Sequence, residues 1–235
     1  MRGILAAMAL VSLLAACQRE APPAEEIAKS AEKLVGAQKP EPAQLAEGPY
    51  APRDTCSDLK DAADFRQNLA AAIEARDANA LTALAAEDVK LDFGGGTGRA
   101  ELRKRLTAED GQLWRKLDEL MTLGCAANKQ GGMTIPWYFD QSIKGVDPFK
   151  GMIVTGEKVP VLAAPDDEAE VLASLSWDVV EIAAMQPDEP FQKIKTRDGL
   201  EGYLATDRLR SLIDYRLIAT SRNNRWRIVS LVAGD

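Results

Sequence analysis

The side chains that carry most enzyme chemistry are thinly represented in this chain. Its 235 residues include no histidine, so a Ser-His-Asp triad, a Cys-His pair and the common zinc sites are excluded. Three cysteines stand at positions 17, 56 and 125. Carboxylates are plentiful, but "PDDEAE" at 165–170 lacks the ligand spacing of an EF-hand and reads as a solvated loop. The glycines of "FGGGTGRAEL" (93–102) fall between a strand pattern and a helix pattern, where backbone N–H groups can hold phosphate. They lack the Lys-Ser/Thr ending of a P-loop and the dinucleotide spacing, so a flexible turn is the expectation. No catalytic residue, metal site or cofactor is predicted.

The three cysteines differ in kind. The chain opens "MRGILAAMALVSLLAACQRE", with Arg2 ahead of an apolar run from Ile4 to Leu14. That run is shorter than the roughly 20 residues a bilayer span needs, and its layout is that of a secretory signal. It ends in "LAAC", which resembles the bacterial lipoprotein box. The resemblance implies a signal peptide over 1–16 and lipidation of Cys17, which becomes the mature N-terminus. Gln18, rather than Asp, follows the cysteine, which implies an outer-membrane lipoprotein facing the periplasm of a Gram-negative envelope. Several acyl chains anchor stably, at about 0.8 kcal/mol per buried methylene. In that oxidising compartment Cys56 and Cys125 are expected to pair. The long loop they close is worth about 4 kcal/mol in chain entropy.

The elements that position these residues follow from composition and period. A hydrophobic share of 46% with 28% charged residues fits a globular chain. The net charge of −7 argues against nucleic acid and against an electrostatic hold on anionic lipid. Residues 17–54, rich in Pro, Ala and Glu, read as the lipidated cysteine and a flexible tether. From Cys56, with Ser57 as the N-cap, apolar residues Leu59, Ala62, Phe65, Leu69, Ala72 and Ile73 recur at helical spacing. A second short helix over "DANALTALAAED" carries Leu81 and Leu84. Val89, Leu91 and Phe93 then alternate as a strand, followed by helices near 98–107 and 110–123. "MTIPWYF" at 133–139 predicts a strand with Pro136 at an edge or bulge. At the far end, 214–221 and 225–233 predict a hairpin turning at Asn223-Asn224.

The helix-helix-strand-helix run over "ARDANALTALAAEDVKLDFGGGTGRAEL" is similar to the first half of nuclear-transport-factor-2-like (SnoaL-like) proteins. The resemblance implies a helix-rich cone-type domain over 55–149, completed by the 211–235 β-hairpin. It also raises a small-molecule binder or isomerase as an alternative function. Some relatives shift protons with Asp and Tyr, but Asp92 lies opposite Val89 and Leu91 and reads as exposed.

Residues 150–210 resemble a bacterial SH3 (SH3b) domain. Val159, Val161 and Pro165 match the first part of its pattern, Leu175 and Val179 the second, and Ile194, Asp198, Gly199, Gly202 and Tyr203 the third. Trp177 stands where the family has glycine, and Phe191 where Trp-Tyr is common. Asp198-Gly199 supplies a hairpin turn, and Gly202 permits close backbone approach. The resemblance implies a small β-barrel with an aromatic groove, for which Trp177, Phe191 and Tyr203 are the candidates. The expected whole is an α+β, non-catalytic envelope lipoprotein, held at the membrane by lipid and binding an envelope protein or peptidoglycan. The barrel is either inserted in the first domain or in tandem with it.

Overall fold

The first of two sheets starts at Ala85, directly after a helix; its opening strand ends at Lys90 instead of running on from Val89 through the expected Leu91 and Phe93, and Phe93 lies exposed beyond it. The computed structural model describes residues 46–234; Cys17, the signal peptide and most of the tether fall outside them. Helix α1 (Ala62–Glu74) buries Ala62, Phe65, Leu69, Ala72 and Ile73 along one stripe. Ser57 does not cap it. The chain turns through 57–61, and Asp61 precedes the helix with a φ of 56°. Helix α2 (Ala78–Leu84) begins at Asp77, whose carboxylate accepts the N–H groups of Asn79 and Ala80, both at 2.9 Å.

Strand β1 (Ala85–Lys90) follows without a loop, and helices α3 (Arg99–Leu106) and α4 (Gln112–Met121) close over it. After β2 (Ala126–Ala127) and β3 (Met133–Ile135), the 133–139 segment turns into a 3-10 helix at Trp137–Asp140. Seven strands then form as a block: β4 (Gly151–Val154), β5 (Val159–Leu162), β6 (Val171–Leu175), β7 (Val179–Ile182), β8 (Phe191–Thr196), β9 (Glu201–Ala205) and β10 (Leu209–Ser211). The chain ends in β11 (Arg216–Arg222) and β12 (Arg225–Val232), joined by Asn223 and Asn224 at φ 53° and 58°. Asn tolerates that left-handed backbone, which suits a two-residue hairpin turn.

The architecture is mixed α+β, with two sheets. The first runs β1-β12-β11-β3-β2, so the C-terminal hairpin lies at the centre of the N-terminal lobe. The second runs β10-β4-β7-β8-β9-β5-β6 and draws only on residues 151–211. Both are open. A closed barrel was the expectation for the second, but β10 pairs only with β4 and β6 only with β5, leaving two edges.

The cores differ in size. Twenty-four buried residues, among them Leu69, Leu81, Leu102, Leu117, Met133, Leu217 and Ile228, fill the space between the helices and the first sheet. Cys56 and Cys125 sit in that core as a disulfide with Cα atoms 5.7 Å apart. The second sheet buries eight, centred on Val161, Val180, Ile194 and Leu204. A third cluster joins the lobes: Tyr50, Leu123 and Tyr138 from one side meet Ile153, Val179 and Leu212 from the other.

That junction corrects the expected extent of the tether. Ala51 is fully buried, Tyr50 nearly so, and the Tyr50 N–H donates to the Trp177 carbonyl at 2.9 Å. Asp54 bridges to Cys125, and the Thr55 N–H donates to the Cys125 carbonyl. A Cβ on Gly48 would collide with the Ser176 carbonyl, so only glycine lets the backbone approach there. The folded part therefore starts several residues before 55. Tyr50, the first aromatic after the signal region, is what makes docking favourable.

Candidate functional site

Where titratable side chains are held, they are held by one another. Asp92 accepts the N–H groups of Gly94 and Gly96 at 2.8 and 2.7 Å and pairs with Arg105. The Arg105 guanidinium, then the Gly96 N–H, keep its carboxyl below the usual range. The glycine loop is thus wrapped around the chain's own carboxylate, which occupies the place a phosphate would take. Asp92 is half-buried rather than exposed, and its oxygens are already engaged. Arg105 likewise holds Glu101 down. The sulfur atoms of Cys56 and Cys125, close to the Asp54 carboxylate, are spent in the disulfide and cannot hold a metal.

A second polar centre lies at the junction. Arg210, 6% exposed, donates from Nε to the Tyr138 hydroxyl at 2.9 Å and from Nη2 to the Tyr215 carbonyl at 2.7 Å. Its Nη1 faces Asp214 at 2.8 Å and Glu119 at 3.2 Å. Lys116 bridges the same two carboxylates. Burial opposes its charge, but Glu119 and Asp214 hold its pKa above the ordinary value. Burial also pushes the Tyr138 hydroxyl up, against the pull of Arg210. This network ties β10 to α4 and the 3-10 helix. Its donors are engaged with the chain's own acceptors.

Two of the three expected groove aromatics come together. Along β8 and β9, alternate residues 192, 194, 196, 202 and 204 are buried, and Phe191, Lys193, Lys195, Tyr203 and Ala205 face outward. Phe191 pairs with Ala205 and Lys193 with Tyr203, so the two rings are one step apart on the same outer face. Phe191 lines a cleft of about 540 Å³ with Pro160, Leu162, Pro190, Lys158 and Arg208. Glu157, Asp167 and Asp207 add negative charge to the same cleft. Tyr203 lies beside this cleft but does not line it.

Trp177 stands elsewhere. It packs into the junction cluster and lines a different cleft of about 610 Å³ with Lys116, Glu119, Arg210 and Asp214. Its φ is 43°, a left-handed conformation uncommon for a bulky residue. The position requires what glycine supplies most easily, and here the cost of a tryptophan is offset by its ring packing between the lobes.

Gly199 and Gly202 occupy different settings, a turn and a strand. Gly199 has φ 91° and closes the Thr196–Leu200 turn, where the Asp198 carboxyl, accepting first from the Thr196 hydroxyl, is lowered. A Cβ on Gly202 would lie 2.5 Å from Val161 Cγ1 and 2.9 Å from the Leu162 carbonyl, which fixes the approach of β9 to β5.

Sequence reasoning missed Pro160, Pro190, Lys158 and Arg208 as cleft walls, since none belongs to a motif. It also missed the Arg210 network. The signal for Trp177 was present: a tryptophan at a glycine position of the resembled pattern. Among the described residues no helix is long and apolar enough to cross a membrane. Compared with known protein families, with curated proteins and with solved structures, the chain matches none.

Proposed function

We propose that this chain is a non-catalytic lipoprotein of the cell envelope whose SH3b-like second sheet binds an extended peptide. The peptide belongs to the cell wall or to an envelope protein. The observation that carries the reading is the Phe191 cleft. It is open, walled by prolines and an aromatic ring, and bordered by Lys158 and Arg208 as well as Glu157, Asp167 and Asp207. Such a surface suits a strand of peptide with free amino and carboxylate groups. A helix-covered pocket for an isomerase is the weaker reading, because the buried residues between the helices and the first sheet are almost all apolar.

In this reading "LAAC" provides the anchor through Cys17, and residues 18–45 provide reach from the outer membrane. The test has two parts. Cys17→Ser should release the protein from the membrane fraction and abolish fatty-acid labelling; labelling that persists would remove the anchor from the reading. Co-sedimentation of the Cys17→Ser chain with purified sacculi, and capture of envelope proteins by it, should both be scored against Phe191→Ala. Undiminished binding by Phe191→Ala would reject the cleft as the site.

A further inference from the structure

On the outer face of the first sheet is an arginine groove that the peptide-binding reading leaves unused. Arg222 pairs with Arg225 across the β11–β12 hairpin, and Thr220 with Arg227, so all four project to one face. The alternate residues Trp226 and Ile228 point into the core. Arg99, entering from α3, completes a groove of about 410 Å³ that Glu87 and Asp88 also line. None of these four arginines forms an ion pair with a described residue.

Two of the arginines are fixed in advance. Arg99 donates from Nε and Nη2 to the Ala85 carbonyl at 3.0 and 2.6 Å, and Arg227 from Nη1 to the Trp226 carbonyl at 3.0 Å. Each keeps open donors, because a guanidinium carries five N–H groups. Arg222 and Arg225 are exposed arms above them. Like charges placed directly opposite on paired strands repel, so the free fold bears a cost that an anion would remove. The chain's net charge of −7 hides this local reversal of sign.

We propose that this groove binds a phosphate group. Guanidinium forks match phosphate oxygens in pairs, and a phosphate can accept from several forks at once, whereas one fork satisfies a carboxylate. Four guanidinium charges against the two carboxylates leave two positive charges in the lining. That equals the charge of a phosphate monoester, about −1.5 to −2 at neutral pH. The phosphate comes either from a soluble ester or from a lipid headgroup, and the proposal does not depend on the Phe191 cleft.

The Cys17→Ser chain, which carries no acyl anchor of its own, is the protein to test. Inorganic phosphate is titrated into it by calorimetry, and vesicles with or without phosphatidic acid are co-sedimented with it. Arg222→Gln/Arg225→Gln should weaken whichever binding occurs at least tenfold, with a thermal melt no lower than that of the parent chain, while Lys195→Gln on the second sheet leaves the binding intact. Phosphate heats without vesicle binding assign a soluble ester; binding confined to phosphatidic acid vesicles assigns a headgroup. Binding in neither arm, or equal binding by the double variant, would overturn the proposal.

Discussion

The two sheets solve opposite problems. The first is covered by helices, stapled by a disulfide and filled by twenty-four buried residues. The second buries only eight and completes its packing against the first through Tyr50, Tyr138 and Trp177. Small domains bury too little surface to be stable alone, and the second sheet therefore relies on its neighbour. In return its outer face stays open, with Phe191 and Tyr203 on it. The contrast directs the search for a ligand to the thin lobe.

The largest effect tests the staple. Cys56→Ser/Cys125→Ser should lower stability by about 4 kcal/mol through the unfolded state. Hydrogen exchange should rise first in α1 and around β2. Faster exchange confined to the second sheet would break this division of roles.

Next comes the junction. Arg210→Ala leaves Asp214 to Lys116 alone and strips the Tyr138 hydroxyl and the Tyr215 carbonyl of their donor, and leaving such buried groups unsatisfied should cost about 1–3 kcal/mol. Exchange should rise in β10 and β4 while α2 and α3 remain protected. Arg210→Ala with a wild-type melt would mean that the network does not hold the lobes together.

Gly202→Val tests the close approach of β9 to β5, and should cost about 1–3 kcal/mol. Trp177 offers a finer comparison. Trp177→Ala loses the ring and keeps the left-handed strain, whereas Trp177→Gly loses the ring and relieves it. The glycine variant should therefore be more stable than the alanine variant, by about 1 kcal/mol, with wild type above both. An alanine variant as stable as the glycine one would show that the backbone at 177 carries no strain.

The smallest effect is on pH. Asp92 and Glu101 in the first lobe, and Asp198 and Glu201 in the second, have carboxyls lowered below their ordinary values. A lowered folded pKa gives stability that is complete above the unfolded pKa and is lost as pH falls through the folded one. Both lobes should thus weaken below about pH 4, near the unperturbed carboxylate values. Asp92→Asn should flatten that acid limb; a limb of unchanged steepness would remove Asp92 as a contributor.

Much of this fold was legible in local pattern. The helical stripe through Phe65, Leu69 and Ile73, the Asn223-Asn224 hairpin and the Gly199 turn are each decided within a few residues. So was the disulfide, because only two cysteines remain beyond the lipid box. What was illegible depends on contacts between distant segments. Tyr50 sits in a stretch of tether composition and is ordered only because Trp177 and Leu123 are there to cover it. Ser57 has the chemistry of a cap, but the chain turns again before the helix starts. Net charge averages the basic hairpin against acidic loops, so it could not reveal the arginine groove. Of the candidate site, the SH3b resemblance picked out Phe191 and Tyr203, which the strand alternation of β8 and β9 puts on one face, whereas Trp177 was drawn away by packing that no short-range pattern encodes.

The central claim is that the ligand binds on the open second sheet. Its most direct test is an NMR titration of the isotope-labelled Cys17→Ser chain with soluble muropeptides and with peptides from captured envelope proteins. Binding at the cleft predicts shift changes at Lys158, Phe191, Ala205 and Arg208, lost in Phe191→Ala. Changes centred instead on Leu69, Leu117 and Ile228 inside the first lobe would contradict it.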